Sequence, residues 1–108
     1  MIDRDGTTVE CVSPAEAAYH AGISKGPQGD GVNEYSIGVS FVNRNDGEDP
    51  FTKPQLTSAE QLAIDLRSKF SNLRYVTTHA AVSPERKNDP LGFPLNEVAS
   101  AVNLSVWL

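Results

Sequence analysis

Apolar residues recur at three- and four-residue steps along one stretch, Leu56, Ala59, Ala63, Leu66 and Phe70, while Glu60, Asp65, Arg67 and Lys69 fall on other faces. That spacing predicts an amphipathic helix. Its start is written locally. Thr52 is the N-cap, Gln55 three residues later completes a capping box, and Phe51 and Leu56 can staple across the cap. Pro54 is tolerated in the first turn, and Ser71-Asn72 ends the helix. Ser36 to Asn43 is apolar nearly throughout and predicts a strand near the middle of a sheet. Leu73 to Thr78 predicts a second strand, which delivers His79 at its end. Met1 to Gly6 reads as a strand end running into an Asp5-Gly6 turn, with Thr7 to Val12 as the return strand. Cys11 is expected there as a small buried hydrophobe.

Ser13 as N-cap and Pro14 at the first position predict a short helix start. Gly22 to Asn33 is rich in Gly, Ser, Pro, Gln and Asp and predicts a loop, of a length often tied to function in small domains. Arg44 to Pro50 is a polar, acidic turn, and Leu91 to Pro94 is another. Leu95 to Val102 predicts a final helix with Leu95, Val98, Ala99 and Val102 inward. Trp107 is expected to dock against the body of the domain.

Length and charge narrow the class. The 108 residues make one domain, too short for two. Net charge is −5 and is confined to residues 1–54, with four Lys/Arg against nine Asp/Glu. With no basic stripe to neutralise phosphates, nucleic-acid binding is excluded as an expectation. No apolar run approaches the ~20 residues of a membrane span. No basic-then-apolar signal segment is present, so the expectation is a soluble chain, cytoplasmic when made. The single cysteine rules out an internal disulfide.

The chemistry gathers between Thr78 and Pro90. Lys87 lies eight residues after His79, and Asp89 ten after. A neutral imidazole and a carboxylate are both zinc ligands, and a Pro-bounded loop can hold them on one ion. A lysine between them would place positive charge where an oxyanion develops during amide hydrolysis. Taken alone, such a pair is more often a hydrogen-bonded surface contact than a metal site.

The segment His79…Ser83-Pro84-x-Arg86-Lys87-x-Asp89-Pro90 resembles the H-x-x-x-x-P-x-R-K-x-D-P block of the zinc-dependent N-acetylmuramoyl-L-alanine amidases. This is the type-2 family, which includes phage endolysins and is related to the peptidoglycan recognition proteins. Ile2-Asp3-Arg4-Asp5-Gly6-Thr7 resembles a central-strand motif of that family. Tyr19-His20-Ala21-Gly22 resembles its W-H-A-G segment, and Asn33…Ser36-Ile37-Gly38-Val39 resembles its N-x-x-S-I-G-I-E-L segment.

The resemblance implies an α/β fold, a mixed central β-sheet flanked by helices, in a single amidase-like domain over residues 1–108. It implies a peptidoglycan hydrolase that uses zinc-activated water to cleave the amide between N-acetylmuramic acid and the L-alanine of the stem peptide. Carried over residue by residue, His79 and Asp89 are metal ligands and Lys87 stabilises the oxyanion. His20 and Asn33 line the substrate groove, although a loop histidine hydrogen-bonded to backbone is an equal reading of His20. Two departures from the family pattern follow. The family's first strand, whose end supplies another zinc-binding histidine, is expected to be missing before Met1, which leaves the zinc site incomplete. Ser40 stands where many members carry a water-activating glutamate. The alternative is therefore a non-catalytic peptidoglycan-binding or structural relative. The partner expected is peptidoglycan or a muropeptide. Loss of a strand also predicts self-association, or a partner chain that supplies it, with Met1–Val12 at the contact.

Overall fold

The computed structural model describes residues 1–108. The longest element is α1, Lys53–Lys69. Its capping box is complete: Thr52 Oγ1 accepts from Gln55 N–H (3.2 Å), and Gln55 Oε1 accepts from Thr52 N–H (3.0 Å). Ala59 and Leu66 of the predicted stripe are buried. Gln55 is fully buried as well. Its Nε2 donates to the carbonyls of Ile2 (3.3 Å) and Val42 (2.9 Å). The same residue thus caps the helix and ties it to two chain segments beneath it.

Ile2, also fully buried, sits between those segments. It bridges antiparallel to Thr8 and parallel to Phe41. Ile2 N–H donates to Ser40 C=O (2.7 Å) and Ile2 C=O accepts from Val42 N–H (3.0 Å). The continuous strand predicted for 36–43 is therefore reduced to one bridge at Phe41. Residues 36–40 form no strand, with only the Ser40 carbonyl bonded to Ile2, and Val39 and Val42 stay more than a third exposed. Apolar sequence favours a strand only where a neighbour supplies the hydrogen bonds, and here Ile2 supplies just two.

Two small sheets are formed. Lys25–Gly26 (β1) and Gly29–Asp30 (β2) pair antiparallel inside the segment predicted as loop, and a 3-10 turn follows at Val32–Glu34. Tyr75–Val76 (β3) pairs in parallel with Ser105–Val106 (β4). Helix α2, His79–Val82, starts directly after β3, with Thr78 as N-cap accepting from Ala81 N–H (3.0 Å). Helix α3, Leu95–Ala101, buries Val98 and Ala99 as predicted, and its C-cap Val102 is buried too. Arg67 Nη1 of α1 donates to the Val102 carbonyl (2.6 Å) and joins the two helices.

Two expectations are corrected. Cys11 is exposed and is not a core residue. It lies in a bend where no segment packs over 9–13, so no apolar surface is available to bury it. Ser13-Pro14 starts no helix: Ser13 Oγ accepts from Ala15 N–H (3.3 Å) and Ser13 C=O from Glu16 N–H (2.9 Å), a closed turn. A serine that satisfies its own backbone in this way offers the chain an alternative to helix.

The core nearest the chemistry is a cluster of Ala21, Val32 and Val82, against which Tyr35 and Trp107 pack. Trp107 thus docks as expected, and it does so behind α2. A second cluster joins Phe41, Phe51 and Phe93. Ring centroids are 5.0–5.3 Å apart, two of the pairs edge-on. Each such aromatic pair adds roughly 0.5–1.5 kcal/mol beyond area burial.

Candidate active site

Ala21 and Val82 pack in one cluster, and their chain neighbours therefore meet. His20 precedes the first and His79 begins the helix that carries the second. His20 Nδ1 lies 3.1 Å from His79 Nε2, with the ring centroids 5.4 Å apart and the ring planes 27° from parallel, edge to edge. On its other side, His79 Nδ1 lies 2.7 Å from Asp89 Oδ2. His20 Nε2 lies 2.9 Å from Ser36 Oγ, and the Ser36 hydroxyl donates to the Val32 carbonyl (2.6 Å). The result is one line of polar atoms from Asp89 through both rings to Ser36 and Val32.

Each member is held by its own local structure. Asn33 is 9% exposed, and its Oδ1 accepts from the backbone N–H groups of His20 (3.1 Å) and Ala21 (2.9 Å). Its carboxamide oxygen therefore holds the His20 loop in place. Gly38 lies under the His20 ring, where a Cβ would stand 2.6 Å from the ring carbon Cγ. Glycine is required by this close approach and not by a turn. Asp89 is tied to α2 by its own carbonyl, which accepts from Ala80 N–H (3.0 Å). Lys87 is half-buried, and no carboxylate of the protein lies within ion-pair distance of it. Ser40 is exposed, and its carbonyl takes the Ile2 N–H.

Burial lowers the His20 pKa from the ordinary imidazole value, and the positive charges of His79 and Lys87 push the same way. The neutral ring is therefore the folded form. Charging His20 on acidification costs the folded state more than the unfolded one, so this contribution to stability is present above about pH 6.5 and is lost as pH falls below it. Urea midpoints at pH 7.5 and pH 5.5 should fall more on acidification in wild type than in His20→Asn. Equal falls would remove His20 from the cause.

The His79–Asp89 junction carries a chemical requirement. An unprotonated imidazole nitrogen and an ionised carboxylate oxygen are both acceptors and cannot stably face each other at 2.7 Å. Either a hydrogen on Nδ1 or a cation belongs between them. Imidazole nitrogen and carboxylate oxygen are donors that zinc accepts, so the pair fits two positions of a zinc site. No group of three or more His, Cys, Asp or Glu is gathered there, so residues 1–108 fill only those two. His20 cannot be the third, because its Nδ1 faces the opposite nitrogen of the His79 ring.

The structure brings together His20, His79 and Asp89, with the charge of Lys87 acting on the same cluster. Asn33 stands one layer behind. Sequence reasoning missed Ser36 and Gly38. Both belong to the S-I-G segment, but reading 36–43 as a regular strand concealed that one bonds a histidine and the other makes room for it.

The chain is thus a small α/β domain with a histidine–aspartate pair at a helix start and a lysine on the loop between them. Residues 1–92 match the N-acetylmuramoyl-L-alanine amidase family, and the chain belongs to that family. It is 29% identical over 92 residues to the 1,6-anhydro-N-acetylmuramyl-L-alanine amidase AmpD of Haemophilus influenzae, a match covering 83% of this chain and 49% of that protein. It is 32% identical over 107 residues to the N-acetylmuramoyl-L-alanine amidase AmiD of Escherichia coli, covering 91% and 38%. The crystal structure of AmpDh3 from Pseudomonas aeruginosa in complex with anhydromuramic pentapeptide superposes with a TM-score of 0.73 at 27% identity, covering 90% of this chain and 41% of that one. The chain thus spans about half the length, or less, of the relatives it matches. No helix is long and apolar enough to cross a membrane.

Proposed function

We propose that this chain carries the His79–Lys87–Asp89 side of a site that hydrolyses the amide between N-acetylmuramic acid and the L-alanine of the stem peptide. The observation that carries this reading is the 2.7 Å His79–Asp89 junction with the Lys87 charge beside it. Relatives named as amidases of this bond, and a neighbour solved with an anhydromuramic pentapeptide, support the substrate class.

Zinc is the cation this reading places at the junction, held by His79 Nδ1 and Asp89 Oδ2. When bound, it would supply Lewis acidity and lower the pKa of water. The other work falls to this chain's own groups. Lys87, with no carboxylate to neutralise it, offers its ammonium to the carbonyl oxygen as negative charge builds there. Water adds to the carbonyl carbon, the C–N bond breaks, and both water protons end on the leaving nitrogen, so the products are a lactyl carboxylate and the ammonium of L-alanine. His20 stays neutral and backs His79, while Asn33 acts through the loop that carries His20. Tyr19 and Ile23, 94% and 82% exposed on either side of His20, offer an apolar rim to a bound muropeptide.

The test is mass spectrometry of purified muropeptides incubated with the protein and zinc. Wild type should release free stem peptide and His79→Ala should release none. Muropeptide retained by both proteins with no release from either would replace this reading with a binding domain.

A further inference from the structure

The polar line through the site ends in an acceptor at each side, Asp89 Oδ2 and the Val32 carbonyl, and the second end fixes the direction of everything before it. A backbone carbonyl cannot donate, so the Ser36 hydroxyl hydrogen points to Val32 (2.6 Å). Ser36 Oγ then meets His20 Nε2 (2.9 Å) as an acceptor, and the hydrogen between them belongs to Nε2. A neutral His20 protonated on Nε2 carries a lone pair on Nδ1. That lone pair faces His79 Nε2 at 3.1 Å and accepts its hydrogen. With the His79 hydrogen on Nε2, the Nδ1 lone pair is what remains toward Asp89.

We propose that His20 is a positioning residue that, with Ser36 and the Val32 carbonyl, sets the tautomer of His79 so that Nδ1 is the atom presented to a cation. With a cation between Nδ1 and Asp89 Oδ2, three hydrogens satisfy the other three junctions in a single direction. No polar atom in the line is left facing its own kind. The line is thus fully satisfied only when the Nδ1–Asp89 junction holds a positive charge, which a cation supplies in place of a proton. A metal-bound histidine commonly has its second nitrogen fixed by a carboxylate, a carbonyl or water. Here another imidazole takes that place, and a serine two junctions away determines its polarity. Gly38 is part of the device, because the ring reaches Ser36 only over a backbone without a Cβ.

This inference rests on hydrogen-bond polarity and extends the proposed function without depending on turnover. The chain has only two histidines, so long-range 1H–15N correlation spectra of the 15N-labelled protein are assigned by subtracting His20→Asn. In the metal-free wild type His20 should carry its hydrogen on Nε2 and none on Nδ1. With zinc added, His79 should keep a hydrogen on Nε2 while its Nδ1 resonance shifts. By calorimetry, His20→Ala should weaken zinc binding roughly 10–100-fold, the usual effect of losing such a partner. His20→Asn, whose amide oxygen can still accept from His79 Nε2–H, should recover most of that loss, which a merely structural defect would not. Ser36→Ala should release the His20 tautomer into a mixture. A hydrogen on His20 Nδ1 in the wild type, or zinc affinity unchanged in His20→Ala, would overturn the proposal. Failure of the wild type to take up zinc would defeat the metal reading of the site. The His20 tautomer in metal-free protein would then decide this inference alone.

Discussion

If the proposed reaction holds, Lys87→Ala should lower stem-peptide release about 10²–10³-fold, the loss expected from removing one donor to a developing oxyanion. Retention of muropeptide should change little, because the ammonium interacts most strongly with charge that exists only in the transition state. The structure gives this lysine two properties the role needs. It is half-buried, where a charge acts through less water than at the surface. It also has no protein carboxylate to neutralise it, yet it is close enough to disfavour a proton on His20. A rate equal to wild type in Lys87→Ala would assign the charge to structure. A loss confined to KM would assign it to binding.

Gln55→Ala should unfold the domain more readily than any other single change on α1. One side chain there makes the helix cap and donates to two carbonyls from opposite parts of the chain. Truncation loses the Gln55 side-chain half of the capping box, opens a cavity in a fully buried place and removes one of two donors from each of the Ile2 and Val42 carbonyls. The three side-chain hydrogen bonds lost are each worth about 0.5–1.5 kcal/mol net, before any cavity cost. A total near 3 kcal/mol should lower Tm by roughly 12–24 °C in a domain of this size. Gln61→Ala, on the exposed face of the same helix, should stay within about 0.5 kcal/mol of wild type. Thermal melts of the two variants side by side check this. A Gln55→Ala melt within a few degrees of wild type would mean that the segments around Ile2 hold themselves together.

What could be read in the sequence divides by the range of the interactions involved. Helix α1 was legible to within a residue at its start because Thr52, Pro54 and Gln55 act on backbone groups of their own first turn. Helix α3 was legible through Leu95, Val98 and Val102 for the same local reason. His79, Lys87 and Asp89 were legible as a motif because they share one short loop. The His20–His79 contact was not, since 59 residues separate the rings and no periodicity links them. Residues 36–43 misled for a related reason. Their apolar character does not secure burial, since none of them is buried, and strand pairing depends on neighbours that the segment itself cannot specify. The hairpin of β1 and β2 lay hidden in glycine-rich sequence, where Pro27 and Gln28 make the turn, Gly29 follows at φ 102 and almost nothing apolar signals a strand.

Asn45 stands far from the motif in sequence and next to it in space. Its Nδ2 donates to Asn88 Oδ1 (2.9 Å), and its Oδ1 accepts from Leu91 N–H (2.8 Å), so one side chain straddles Asp89 across 43 and 46 residues of chain. Phe93, a few residues on, is clasped by Phe41 and Phe51 at the two ends of that same turn. His79 takes its position from a helix start, whereas the carboxylate opposite it also takes its position from this distant acidic turn. The gap between the two groups is therefore a tolerance set jointly by two separately anchored parts, like the jaws of a caliper. A change in the length of residues 44–50 would reset that gap without altering any residue of the amidase block.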